Sequence, residues 1–143
     1  MTQRDFVLAS LAAAGCEYFT PVQLQKFLFL LDRNIGPLLG GSGFSFQPYH
    51  YGPFDSDVYR ALERLRDEDL AEITESPGRL RAYRLTDRGR EAGEALARET
   101  LDGRSREYMA AVGRLVRSLP FSSLVSSIYK AYPDMKVNSV FQE

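Results

Sequence analysis

One cysteine, Cys16, and one histidine, His50, are all that 143 residues contain of either type. A lone thiol excludes an internal disulfide framework, and a lone imidazole argues against a protein metal cage. Cys16 stands between Gly15 and Glu17 without an activating base, so an inert, partly buried thiol is expected. Long hydrophobic runs are missing too. Phe27 to Leu31 is among the longest, far short of the roughly 20 residues a membrane span needs. No glycine–lysine pair occurs, which removes the Walker-type phosphate loop. Gly40-Gly41-Ser42-Gly43-Phe44 misses the nucleophile elbow, because Phe44 occupies the place of its second glycine. A net charge of −1 gives no global basic field of the kind that marks nucleic-acid binders. No secretory cleavage pattern follows Arg4, since charge returns at Glu17, and a cytoplasmic location is expected. No cofactor is implied, and an enzyme is not expected.

What remains is an ordinary globular balance, 44% hydrophobic and 26% charged, enough for one sizeable core. Apolar spacing predicts a first helix from Arg4 to Ala14, stopped by Gly15. Thr20-Pro21 opens a second, with Leu24, Phe27, Leu28 and Leu31 as its stripe and Gln25, Asp32 and Arg33 facing away. Gly36-Pro37 ends it, and Gly40 to Gly43 is a loop. Phe44 to Gln47 alternates as a short strand whose pairing Pro48 limits. A turn from Tyr51 to Asp55 delivers Asp55 as the cap of a third helix. That helix reaches about Asp69, with Val58, Ala61, Leu62 and Leu65 inward. Leu70 to Thr74, a Ser76-Pro77-Gly78 turn and Arg79 to Leu85 read as a hairpin. Thr86 caps a fourth helix to about Arg98. Two more helices follow, near 104–117 and from Pro120 to Tyr132, before an extended tail from Asp134 to Glu143.

This order is the plan of a winged helix-turn-helix, mainly α with a small antiparallel sheet, an α+β chain with two extra C-terminal helices. Residues 1–100 form the winged domain. Residues 101–143 are an extension that packs on it or forms a dimer interface.

Five arginines fall between Arg79 and Arg90 against one acid, after a stretch from Asp67 to Glu75 with five acids and no base. In a winged helix, Arg79, Arg81 and Arg84 on the hairpin reach phosphates, and Ser56, Arg60 and Arg64 on the third helix meet a groove. The alternative is a solvated hairpin, and Asp55, Asp57 and Glu63 repel DNA where a recognition helix enters. The aromatic cluster Phe44, Phe46, Tyr49, His50, Tyr51 and Phe54 lines a small-molecule pocket, stacks bases, or is a core strand with a packed turn. Tyr51-Gly52-Pro53 makes the turn itself, with Gly52 expected at positive φ. The last two helices carry more apolar surface than a winged domain needs. Leu124 and Ile128 are therefore assigned to a two-fold interface of a homodimer, with packing on the first helix as the alternative.

Tyr83-Arg84-Leu85-Thr86-Asp87-Arg88-Gly89 resembles the wing-to-helix junction of winged-helix regulators of the PadR and MarR types. Leu24-Gln25-Lys26-Phe27-Leu28-Phe29-Leu30, then Phe46-Gln47-Pro48-Tyr49-His50-Tyr51-Gly52-Pro53-Phe54, then Val58-Tyr59 and Leu62, resemble the YwgA-like group of small bacterial proteins. More loosely, they are similar to the Panacea domain of SocA-like antitoxins. The likeness spans roughly residues 20–70 and implies a winged-helix-like fold with a role in regulation or in neutralising a partner. It carries no catalytic residues. The expected function is a DNA-binding transcriptional regulator acting on double-stranded DNA, or a protein–protein module of the antitoxin or adaptor kind.

Overall fold

The structure, a computed structural model, describes residues 1–75 and 77–142. Ser76 of the expected turn and Glu143 of the expected tail lie outside them. Among the described residues six α-helices carry the chain: α1 Gln3–Ala13, α2 Pro21–Ile35, α3 Asp57–Asp67, α4 Asp87–Thr100, α5 Gly103–Ser118 and α6 Phe121–Ala131. Two antiparallel ribbons accompany them, β1 Gln47–Tyr49 with β2 Gly52–Phe54, and β3 Ala71–Thr74 with β4 Ala82–Leu85. The chain is mainly helical with a small antiparallel component, as expected.

Helix α1 is central. Phe6 to Ala12 are all buried, because α3, α4 and α5 pack around it. Contact with α4 is close at Gly93, where a Cβ would come within 2.6 Å of the Ala12 Cβ and 2.8 Å of the Leu8 carbonyl oxygen. Only a residue without a side chain lets these two helices approach so far.

Helix α2 starts as its sequence dictates. The Thr20 hydroxyl accepts from the Gln23 amide and the Gln23 side chain accepts from the Thr20 amide, a reciprocal capping box with Pro21 in the first turn. Its outward face departs from expectation. Asp32 is half-buried and accepts a hydrogen bond from Ser42, and Gln25 is 2% exposed. The apolar stripe is wider than one face, since Phe29 is also buried.

The strands differ from the sequence reading. The strand expected at Phe44 to Gln47 begins at Gln47 and runs through Pro48 to Tyr49, turning at His50-Tyr51 to pair with Gly52–Phe54. Pro48 lies opposite Pro53. Such a pair fits the non-hydrogen-bonded position of a ladder, where neither residue needs an amide donor. Phe44 and Phe46 pack inward instead, edge-on to Phe6 and Phe29. This ribbon does not join β3–β4. The residue that does is Phe19, between α1 and α2, which exchanges two backbone hydrogen bonds of 2.9 Å with Tyr83.

Asp55 does not cap α3 as the residue beside the helix, because Ser56 holds that position. The Asp55 carboxylate still accepts from the Asp57 amide at 2.9 Å. Thr86 caps α4 through the Gly89 amide. The tail is not simply extended. Pro133–Lys136 form a 3-10 turn, and the Val140 amide then donates to the His50 carbonyl at 2.9 Å, strapping the chain end to the β1–β2 ribbon.

Helices α5 and α6 share the core of the rest, through Met109, Val116, Leu124 and Ile128. Leu124 and Ile128 are each 3% exposed, which corrects their assignment to a dimer interface. The surplus apolar surface is largely absorbed by packing onto α2, α1 and the β1–β2 ribbon. No helix is long and apolar enough to cross a membrane among the described residues.

Candidate functional site

The six residues assigned to DNA do lie on the surface, but most are already engaged. On α3, Ser56, Arg60 and Arg64 are exposed, and the Arg60 guanidinium is paired with Asp57 one turn earlier. Across the β3–β4 ribbon, acids of one strand face arginines of the other. Arg81 pairs with Glu75 at 2.6 Å and Arg84 with Glu72 at 3.1 Å, the latter also lying 4.5 Å over the Tyr18 ring. Beyond the ribbon, Arg88 and Arg90 stand 3.9 and 3.8 Å from Asp69 and Asp87. Arg64 and Arg79 make no ion pair among the described residues. The acid-rich and arginine-rich stretches therefore neutralise each other, and the field of the wing is far weaker than its arginine count suggests.

Beside the ribbon tip is an apolar groove of about 330 Å³, walled by Pro21, Val22, Leu80, Leu119, Phe121 and Leu124. Leu80 is 76% exposed at its edge, and Phe121 is exposed opposite. The capping box at Thr20 and Gln23 fixes the α2 end of this groove, and Pro120 sets the start of α6 across from it.

A second cavity of about 170 Å³ adjoins the first at Val22, and the edge-on pair of Tyr51 and Phe121 stands between them at 5.3 Å. Its walls come from α2, the β1–β2 ribbon and Tyr59 of α3. Here Gln25, Lys26, Gly52 and Tyr59 converge. Gln25 donates to the Asp55 carbonyl and accepts from the Asp55 amide, both at 3.0 Å, so the strand end is fastened to α2. Gly52 adopts φ +109°, and a Cβ there would lie 3.4 Å from both Cε and Nζ of Lys26. Lys26 is 3% exposed, and burial holds its ammonium well below the ordinary lysine range, at about 8. Burial likewise raises the Tyr59 phenol.

Of the expected turn, Tyr51 is exposed at the bend, while Gly52 and Pro53 are buried in β2. His50 keeps an exposed ring stacked on Tyr49 at 4.3 Å, and its carbonyl accepts from Tyr129, Ser139 and Val140. Cys16 is buried with its thiol pushed up in pKa by that burial, as an unreactive cysteine should be.

Sequence reading missed Gln25 and Lys26 as interior residues. A signal was present: Val22 and Phe29 flank Lys26 at helical spacing on a second side of α2, so the apolar surface is wider than one stripe over the middle of the helix. Over its middle, from Leu24 to Phe29, the polar residues Gln25 and Lys26 are therefore enclosed with their apolar neighbours, while Arg33 and Asn34 at its end stay exposed. Phe19 escaped because a one-residue bridge shows no alternation. Compared with known proteins, the chain matches no family model, no curated protein and no solved structure.

Proposed function

We propose that residues 1–100 form a winged helix-turn-helix and that the chain acts as a protein-binding module through the apolar groove between its ribbon tip and α6. The element order α1, Phe19 bridge, α2, α3, β3, β4 supports that fold, with β1–β2 as an insertion between the second and third helices. The observation that carries the function is the contrast between the two faces. The arginines of the ribbon are largely paired with the chain's own acids, whereas Leu80 and Phe121 flank an open apolar groove. Arg79, next to Leu80 and without an ion pair among the described residues, adds one free cation at the edge. The fitting partner is an apolar protein segment with a leucine or aromatic anchor and a neighbouring carboxylate. Binding, not catalysis, is the activity.

Duplex DNA is the competing partner, and the small number of unpaired arginines at the expected contact positions supports it less. Two free arginines, Arg64 and Arg79, offer about two phosphate contacts, hence a salt slope of about −2. That is the range of weak, sequence-independent binding.

A photo-crosslinking residue placed at Leu80 in living cells tests the reading. A protein adduct that disappears with Phe121→Asp is expected. Adducts to nucleic acid, or a protein adduct indifferent to Phe121, would overturn it. Duplex titrations at 50–200 mM salt are the companion measurement, and a slope of −5 or steeper would restore the DNA reading.

A further inference from the structure

Lys26 is a buried cation without a counter-charge. Among the described residues it makes no hydrogen bond, ion pair or ring contact, although it is 3% exposed. An ammonium so largely withdrawn from water, reached only from the cavity it lines, is costly unless something pairs with it. Its polar neighbour Gln25 is committed at both ends to Asp55. The Asp55 carboxylate is turned to the amides of Ser45 and Asp57, at 2.7 and 2.9 Å. The other titratable groups around the ammonium are phenols: Tyr49 and Tyr51 of the ribbon turn, Tyr59 of α3 and Tyr129 of α6. Lys136 lies beyond, 5.8 Å over the Tyr129 ring.

The space beside the ammonium is kept open. Gly52 presents no side chain where a Cβ would fall 3.4 Å from Nζ, and Tyr49 and Tyr51 stand exposed at the rim. From this geometry we infer that the cavity binds a small hydrophobic carboxylate. Its carboxylate pairs with the Lys26 ammonium, and its apolar part lies among Val22, Tyr49, Tyr51, Pro53, Phe54 and Tyr59. Size and charge both narrow the occupant. About 170 Å³ is close to the roughly 150 Å³ cavity that holds a benzene ring, so one ring or a short branched chain fits. One ammonium with no arginine fork and no nest of amides balances a single negative charge, which favours a carboxylate over a phosphate dianion. The carboxylate belongs either to a free small acid or to the carboxyl terminus of a peptide; the chemistry recognised is the same. The Lys26 cavity needs no protein at Leu80 in order to be filled, although it shares the Val22 wall with the proposed partner groove.

The experiment titrates the full chain at pH 7 with phenylacetate and 3-phenylpropionate, and with phenylacetamide as the neutral isostere. Gly-Gly-Phe and its C-terminal amide form the peptide arm. The acids are expected to bind at least tenfold more tightly than the amide. In the unmutated protein the Lys26 ¹³Cε resonance should move with phenylacetate and stay with phenylacetamide. Affinity should fall about tenfold between pH 7 and pH 9, as the free-state ammonium loses its proton. Lys26→Met should abolish the preference for acids while keeping the helical circular dichroism. Binding of Gly-Gly-Phe but not its amide extends the site to peptide termini, and binding of the small acids alone limits it to free acids. Equal affinity for acid and amide, an unmoved Lys26 resonance, or no binding of any acid at 10 mM overturns the inference. So does undiminished binding by a folded Lys26→Met.

Discussion

Gln25 holds Asp55 by both of its backbone groups, its carboxamide donating to the carbonyl and accepting from the amide, each at 3.0 Å. A side chain thereby stands in for a neighbouring strand at the point where β2 runs into α3. The arrangement fastens three elements at once, because Asp55 also anchors the Ser45 amide and the first turn of α3.

Gln25→Ala removes both bonds and leaves a partly buried amide and carbonyl without partners. The expected loss is about 2–4 kcal/mol, read as a clear drop in Tm. Gln25→Glu keeps the acceptor but sets a buried carboxylate oxygen against the Asp55 carbonyl, so it should not rescue the loss. An alanine variant that melts with the parent would show that the ribbon is held by its aromatic contacts alone.

Lys26 makes stability depend on alkaline pH. Its pKa is lowered from 10.5 to about 8 on folding, so the unfolded chain binds more protons than the folded one between those values. Stability from this group therefore rises as pH climbs from about 8 to 10.5, and its cost is fully present below about 8. That displacement corresponds to roughly 3 kcal/mol. Lys26→Met should be more stable than the parent at pH 7, by up to that amount, and the difference should shrink towards zero above pH 10.5. Paired denaturant titrations at pH 7 and pH 10.5 measure it; a constant difference would mean that the ammonium finds solvent or a partner in the fold.

Gly93→Ala adds one methyl group where a Cβ meets the Ala12 Cβ at 2.6 Å and the Leu8 carbonyl oxygen at 2.8 Å. The helices have to separate, for a cost of about 1–3 kcal/mol despite alanine's better helix propensity. Ala12→Gly in the same chain should return part of it. Thermal melts of the two variants and their combination decide the point, and additive losses would rule out this contact as the cause.

Leu124→Asp with Ile128→Asp should unfold the chain instead of releasing a folded monomer, because both side chains are 3% exposed in the core. Circular dichroism and light scattering separate the outcomes. A helical, cooperatively melting double variant would contradict the packing of α6.

Much of the local structure was legible. Thr20-Pro21 with Gln23, Thr86 with Gly89, and the 3.6-residue spacing of Val58, Leu62 and Leu65 depend on a few neighbouring residues, so the helices and most of their caps follow from the chain alone. The inward positions of Tyr83 and Leu85 follow from strand alternation in the same way. Three matters were decided only by packing. Which face of α2 meets water depended on the ribbon inserted after it, so Gln25 and Lys26, polar by type, became interior. Whether Leu124 and Ile128 served a partner or the core depended on how far α5 and α6 could close on α2. Whether the ribbon arginines formed a free basic strip depended on register, which set Glu72 opposite Arg84 and brought Glu75 to Arg81. Each of these is a relation between segments distant in sequence. Local pattern specifies what an element is, but burial and charge balance belong to the pair of surfaces that meet.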